Sequence, residues 1–181
     1  MPSNAPVPGV NDLASQYPLV AAEADGWDPQ TVTAGSGIKR AWKCRHGHTW
    51  SASPGARTGS GTGCPYCANL RVWVGFNDLK THHPDIANQA DNWDPETVVS
   101  GSNKKKDWIC QLGHRWQAQV SHRTARGSGC PYCACQKVLA GFNDLKTRYP
   151  EVAKEADGWD PSQIMPGNNK VFSWKCQLGH S

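Results

Sequence analysis

The sequence predicts a tandem array of small α+β modules, each a short helical segment followed by a β-hairpin. Three observations carry that prediction. The chain repeats itself without a gap: Asn11-Asp12-Leu13 recurs as Asn77-Asp78-Leu79 and Asn143-Asp144-Leu145. Trp27-Asp28-Pro29 recurs likewise as Trp93-Asp94-Pro95 and Trp159-Asp160-Pro161, and self-similarity at a fixed period marks a repeat architecture. Within each repeat, an Ala-rich helical stretch gives way to residues alternating with a period of two. Finally, the alternating part carries close pairs of cysteine and histidine.

Those pairs define two four-ligand patterns. Cys44 and His48 are followed by Cys64 and Cys67; Cys110 and His114 are followed, at the same spacing, by Cys130 and Cys133. Three thiols and one imidazole in two close pairs suit a tetrahedral Zn²⁺ site, with no position left for water. Both sites therefore read as structural rather than catalytic. A third copy opens at Cys176 and His180, with no second pair after it in this sequence, and is expected to be truncated or completed by a partner. The patterns use seven of the eight cysteines; Cys135 is left over and reads as a free thiol. A module of this length buries little surface, so metal is the expected staple, worth roughly 10–16 kcal/mol in zinc-finger peptides.

Each element follows in order. Asn11 can cap the first helix, with Asp12 in its first turn. Leu13 and Tyr17 share a face at i, i+4, and Pro18 stops that helix or opens the next. Residues 18–24 are helical by propensity, Trp27-Asp28-Pro29 turns the chain, and a Gly/Ser stretch leads into the hairpin. Residues 41–44 and 48–52 alternate as strands around an Arg45-His46-Gly47 turn. If Cys44 faces His48, then Trp42 faces Trp50, and Trp108 faces Trp116 by the same symmetry; such indole pairs would roof each metal site. A loop over 58–63 then leads to Cys64-Pro65-Tyr66-Cys67. The expected divisions are a disordered tail over 1–8, repeats over 9–74 and 75–140, and an incomplete repeat over 141–181.

Charge alternates within the repeat, although the net charge is only +4. The stretch 12–28 holds acids and no Lys or Arg; the stretch 29–77 holds six bases and no carboxylate. Zn²⁺ with three thiolates contributes about −1 per site, so the field around each zinc segment should stay positive. The N-terminus has neither a basic nor an apolar leader region, and no apolar run is long enough to span a membrane. A reducing cytoplasm is the expected compartment.

The ordered motifs Asn-Asp-Leu, Trp-Asp-Pro, Trp-x-Cys-x-x-Gly-His-x-Trp and Cys-Pro-Tyr-Cys resemble those of the bacterial probable zinc-ribbon repeats, a treble-clef zinc-finger family. The resemblance runs from Gly9 onward. It implies tandem treble-clef modules with the eight ligands named above. Some family members carry restriction or very-short-patch-repair-like nuclease domains, which implies a DNA-associated role.

The basic residues of the zinc segments are Lys39, Arg40, Lys43, Arg45 and Arg57, and then Lys104, Lys105, Lys106, Arg115, Arg123 and Arg126. They are the candidates for phosphate contact. His46 reads as a turn residue, because its counterpart is Leu112. His83 aligns with Tyr17 and Tyr149, so that position calls for a ring before proline rather than a general base. No paired carboxylates with a nearby Lys, phosphate loop or nucleophilic Ser occurs at catalytic spacing. The expected function is non-catalytic nucleic-acid binding, DNA foremost. The alternatives are a protein-interaction scaffold and the targeting fragment of a nuclease whose catalytic domain lies elsewhere.

Overall fold

Asp, not Asn, starts each helical segment. The structure, a computed structural model, describes residues 5–180. Asp12 Oδ1 accepts the Ser15 amide at 2.9 Å, and its Oδ2 accepts the Ser15 hydroxyl and the Gly9 amide, each at 2.6 Å. Asp78 takes the same bonds from Thr81 and Gly75, and Asp144 from Thr147 and Gly141. The cap thus falls one residue later than the expected Asn11, since only the later side chain reaches the third amide of the helix. Helix α1 spans Leu13–Gln16 and α2 spans Pro18–Ala21, with Pro18 at the first position of α2. Tyr17 between them has φ −137° and ψ 67°, outside the helical region that a following proline disfavours. It is therefore 41% exposed while Leu13 is buried, and the two do not share a face. Tyr149 repeats that backbone and is 55% exposed, so a packed ring is not what these positions have in common.

Two compact units divide the chain. The first runs to His82 and includes Glu96–Val99; the second takes His83–Pro95 and the residues from Ser100 onward. In the first unit Asp28 caps a 3₁₀ turn at Pro29–Thr31, and strands β1 (Arg40–Lys43) and β2 (Thr49–Ala52) pair antiparallel. The register sets Trp42 opposite Trp50, as expected. Trp42 is fully buried, and Trp27 meets it edge-on at 5.1 Å while donating Nε1–H to the Ala41 carbonyl. Leu13, Ala21, Ala34, Cys44 and Cys64 complete the small core. Helix α3 (Pro54–Gly59) follows the hairpin, with Ser53 as its cap and Pro54 at its first position. Helix α4 (Leu79–His82) also belongs to this unit.

The second unit repeats the plan. Helix α5 spans Pro84–Ala87, and strands β3 (Lys105–Ile109) and β4 (Arg115–Gln119) pair with Trp108 opposite Trp116. Trp93 meets Trp108 edge-on at 5.1 Å. Helix α6 (Val120–Thr124) follows, and then α7 (Leu145–Arg148) and α8 (Pro150–Ala153) of the third repeat. There Trp159 meets Trp174 at 4.9 Å, and an isolated bridge joins Ala156 to Trp174.

Helices α3 and α6 each bury an arginine. The Arg57 guanidinium lies 4.5 Å from the Trp42 ring and 5.1 Å from Trp50, and its Nη2 pairs with Glu23. Arg123 sits between Trp108 and Trp116 at 4.8 and 5.0 Å, with the Gln89 side chain in place of a carboxylate. The paired indoles therefore clasp an arginine through ring-face attraction. Trp42 and Trp50 also share the buried cluster with the ligands Cys44 and Cys64, and the arginine held between the indoles is the part that the sequence reading did not foresee. Of the expected tail, residues 1–4 lie outside the described residues. Residues 5–8 form a loop in which Asn11 bonds Ala5 and Val7.

Burial pushes the Asp144 carboxyl up, but the Thr147 hydroxyl and amide outweigh it and hold it below the ordinary carboxylate range. A depressed native value stabilises fully above the unfolded value of about 3.9 and is lost as pH falls through the native one. Asp144→Ala should cost about 1 kcal/mol in denaturant unfolding. That difference should hold steady from about pH 8 to about pH 5. A difference already gone at neutral pH contradicts the cap.

Candidate metal centres

The two hairpins bring together the eight expected ligands. In each, the Cys-to-His turn is closed by backbone: Cys44 N–H donates to the His48 carbonyl at 3.0 Å, and Gly47 N–H to the Cys44 carbonyl at 2.9 Å. Cys110, Gly113 and His114 repeat both distances. A left-handed glycine makes the turn possible, with φ 82° at Gly47 and 79° at Gly113. Cys64 and Cys67, and Cys130 and Cys133, come from the turn beyond α3 and α6.

The geometry fits a tetrahedral cation. Cys44 Sγ stands 3.8 Å from Cys67 Sγ, and His48 Nδ1 stands 3.5, 3.6 and 3.4 Å from the sulfurs of Cys44, Cys64 and Cys67. In the second site, Cys110 and Cys133 are 3.8 Å apart, and His114 Nδ1 is 3.3 and 3.7 Å from Cys133 and Cys130. Zn–S bonds of about 2.3 Å and Zn–N bonds of about 2.0–2.1 Å give tetrahedral edges of about 3.8 Å between sulfurs and about 3.5 Å from sulfur to nitrogen. The sulfurs are far beyond the ~2.05 Å of a disulfide. All four ligand atoms of each group lie within 4.8 Å of one another.

Electrostatics point the same way. Burial pushes the Cys67 thiol up to about 12, and the neighbouring Cys64 and Cys44 sulfurs add to it; Cys133 rises to about 12 for the same reasons. Three thiolates this close repel one another unless a cation lies among them. Burial pushes Cys44 up too, but the His46 and His48 backbone amides outweigh it and hold it below its ordinary value. Burial, and then the charge of His46, depress His48 and favour the neutral imidazole a metal needs.

Aromatic rings pack on the ligand histidines, and these the sequence reading missed. Phe76, Trp73 and Tyr66 surround His48 at 4.2, 4.8 and 5.6 Å. Phe142 and Tyr132 lie 4.2 and 5.9 Å from His114. His46 is exposed and outside the ligand group, as expected of a turn residue. Cys176 and His180 form the same backbone turn, with bonds of 3.0 and 2.9 Å, but no further ligand joins them among the described residues. Cys135 is exposed, with φ 51°, beside Asn143 and Arg148 rather than with that pair. His82 directs its ring to the Phe76 carbonyl at 2.6 Å, a structural bond.

Among the basic candidates, Lys39, Lys43, Arg45, Lys104, Lys105, Arg115 and Arg126 are exposed. Arg115 is paired with Asp91 at 3.1 Å. Arg40 and Lys106 are half-buried over Trp27 and Trp93, at 5.8 and 4.9 Å. Arg57 and Arg123 are 7% and 4% exposed. The structure sets these two in the core, away from the surface a phosphate could reach.

Because the metal would hold turns that α3 and α6 alone do not join, strong chelation should abolish the near-ultraviolet dichroism of the buried tryptophans. Readdition of Zn²⁺ should restore it. A spectrum unmoved by chelation contradicts a structural metal.

A protein of Escherichia phage T5 described as "Putative endonuclease" is 26% identical over 106 residues, covering 58% of this chain and 35% of that protein. The match thus reaches about a third of the phage protein's length. No helix among the described residues is long and apolar enough to cross a membrane. The family described as probable treble clef zinc finger domain matches residues 20–70 and 87–136, each range enclosing one complete ligand set. With more than half of its length matched in two tandem copies, the chain belongs to the probable treble clef zinc finger family.

Proposed function

We infer that the chain is a non-catalytic nucleic-acid-binding module, with DNA as its target and Zn²⁺ as its structural metal. One observation carries this reading: exposed cations cluster on the zinc-bearing hairpins. Lys39, Lys43 and Arg45 are exposed on and beside the first hairpin, in a stretch that holds no carboxylate from 29 to 77. Arg45 also lines a cleft beside the first site with Cys44, Cys64, Cys67 and His46, where Glu23, already paired with Arg57, is the one acid. Lys104 and Lys105 are exposed at the start of the second hairpin. Point charges on a rigid strand pair suit phosphate oxygens.

The second hairpin is the weaker candidate. Arg115 is held by Asp91, and Asp107 stands on the same strand pair, bonded to Gln117. The proposed phosphate contacts are therefore Lys39, Lys43 and Arg45 in the first unit and, as a separate set, Lys104, Lys105 and Arg126 in the second, with Arg57 and Arg123 serving the core. Arg40 and Lys106 contribute charge beside an indole. Lysines predominate among them, and a compact ammonium charge suits a phosphate better than a base edge, so backbone contact rather than base reading is proposed.

The repeats are read as 9–74, 75–140 and 141–181, with Cys176 and His180 presenting the first half of a third site. The likeness to a phage protein described as an endonuclease supports a second reading. In it, this chain supplies the targeting part of a nuclease system, and nothing in its own sites cuts. A cytoplasmic setting agrees with three thiols held for metal in each complete site.

Fluorescence anisotropy with labelled duplex DNA across a salt series tests this. Affinity should fall on a log–log plot with a slope of about −0.9 per phosphate neutralised. The double variant Lys43→Ala, Arg45→Ala should weaken binding and reduce that slope by about 2. Absence of binding at low salt, or binding indifferent to salt, overturns the reading.

A further inference from the structure

We propose that each metal site is held by the opening segment of the following sequence repeat, with Phe76 and Asn77 serving the first site and Phe142 and Asn143 the second. By sequence alignment these residues open their own repeats, where Asn11 stands at the equivalent place. The structure gives them a different task.

Asn77 is 2% exposed, and its side chain bonds three backbone groups. Its Nδ2 donates to the Tyr66 and Arg71 carbonyls, both at 2.8 Å, and its Oδ1 accepts the Trp73 amide at 2.7 Å. Tyr66 lies between the ligands Cys64 and Cys67, so Asn77 fixes the turn that presents both. The adjacent Phe76 ring lies 4.2 Å from the ring of the ligand His48. One dipeptide therefore braces the site from two sides: the thiolate turn through its carbonyl, and the imidazole through its face. In the second unit Asn143 donates to the Tyr132 and Lys137 carbonyls at 3.0 and 2.8 Å and accepts the Leu139 amide at 2.7 Å. Phe142 again lies 4.2 Å from its histidine.

The first repeat supplies the internal contrast. Asn11 closes the same kind of loop on Val7 and Ala5, at 2.5 and 3.1 Å, but Val10 stands where Phe76 and Phe142 stand and is 68% exposed. Among the described residues no metal turn stands beside this loop, and what Phe76 and Asn77 add is the contact with the preceding site. Groups that orient metal ligands from outside the coordination sphere commonly change metal affinity 10–100-fold. Asp78 and Leu79, which start α4, directly follow the brace, so the brace joins the first metal site to the start of the next repeat.

The test uses the full chain loaded with ¹¹³Cd²⁺, whose two sites give separate resonances, together with transfer of Zn²⁺ to a chelator. Asn77→Asp keeps the acceptor but removes the amide donor. It should speed metal loss from the first site by roughly 10–100-fold and leave the second within about twofold. Asn143→Asp should do the reverse. Phe76→Ala should shift the first resonance and loosen that site, while Phe76→Tyr, which keeps a ring on His48, should restore both. Asn11→Asp, in the repeat that carries the first site, should change neither. The second-site resonance reports that the rest of the chain is folded. Equal loosening of both sites by Asn77→Asp, no change at the first site, or the same effect from Asn11→Asp overturns the proposal.

Discussion

Mutual repulsion among three sulfurs and its relief by a cation is the constraint from which the rest of this structure follows. The strands of each hairpin are four or five residues long, and the helices four to six. Elements so short bury little and cannot form stably alone. What fixes them is a point where the Cys-to-His turn and the Cys-Pro-Tyr-Cys turn must converge within 4.8 Å. Brought together as thiols, the sulfurs ionise unequally: burial and the neighbouring sulfurs push Cys67 and Cys133 up to about 12, while at Cys44 and Cys110 burial is outweighed by backbone amides and those same neighbours, which hold them below the ordinary thiol value. Brought together around Zn²⁺ they become the strongest tie in the unit.

Around that point the chain assembles a second layer made of indoles and arginine. Trp42 and Trp50 project from the hairpin face that also carries Cys44, and they close on Arg57 from α3. The guanidinium Nε and Nη1 have no hydrogen-bond acceptor, so ring faces and one pairing with Glu23 hold it. In the second unit, where Gln89 replaces the acid, burial lowers the Arg123 value while the Cys130 charge opposes the change. The zinc–thiolate centre carries about −1, and an adjacent buried cation is its natural complement. Basic charge in this protein is therefore of two kinds: one inside, answering the thiolates, and one outside on the hairpins.

Much of this was legible in the sequence, for identifiable reasons. Ligand spacing repeated in two copies leaves little freedom in assigning eight residues, and the symmetry about His46 sets Trp42 against Trp50, the register the structure has. Other features were hidden. Arg57 and Arg123 read as surface charge because arginine is so seldom buried; the neighbouring tryptophans were the missed signal. Helix α3 had a signal in Ser53-Pro54, a cap followed by a first-turn proline, whereas α6 begins at Gln119-Val120 and has none. Asn77, as the repeat equivalent of Asn11, reads as a helix cap because Asp78, the true cap, sits beside it. Its actual partners are carbonyls, which no side-chain pattern encodes.

X-ray absorption at the zinc edge, with metal content measured on the same purified protein, tests the central claim most directly. The account predicts two Zn²⁺ per chain, each with three sulfurs near ~2.3 Å and one nitrogen near ~2.0 Å. A shell dominated by oxygen or nitrogen, or fewer than two metal ions per folded chain, would contradict it.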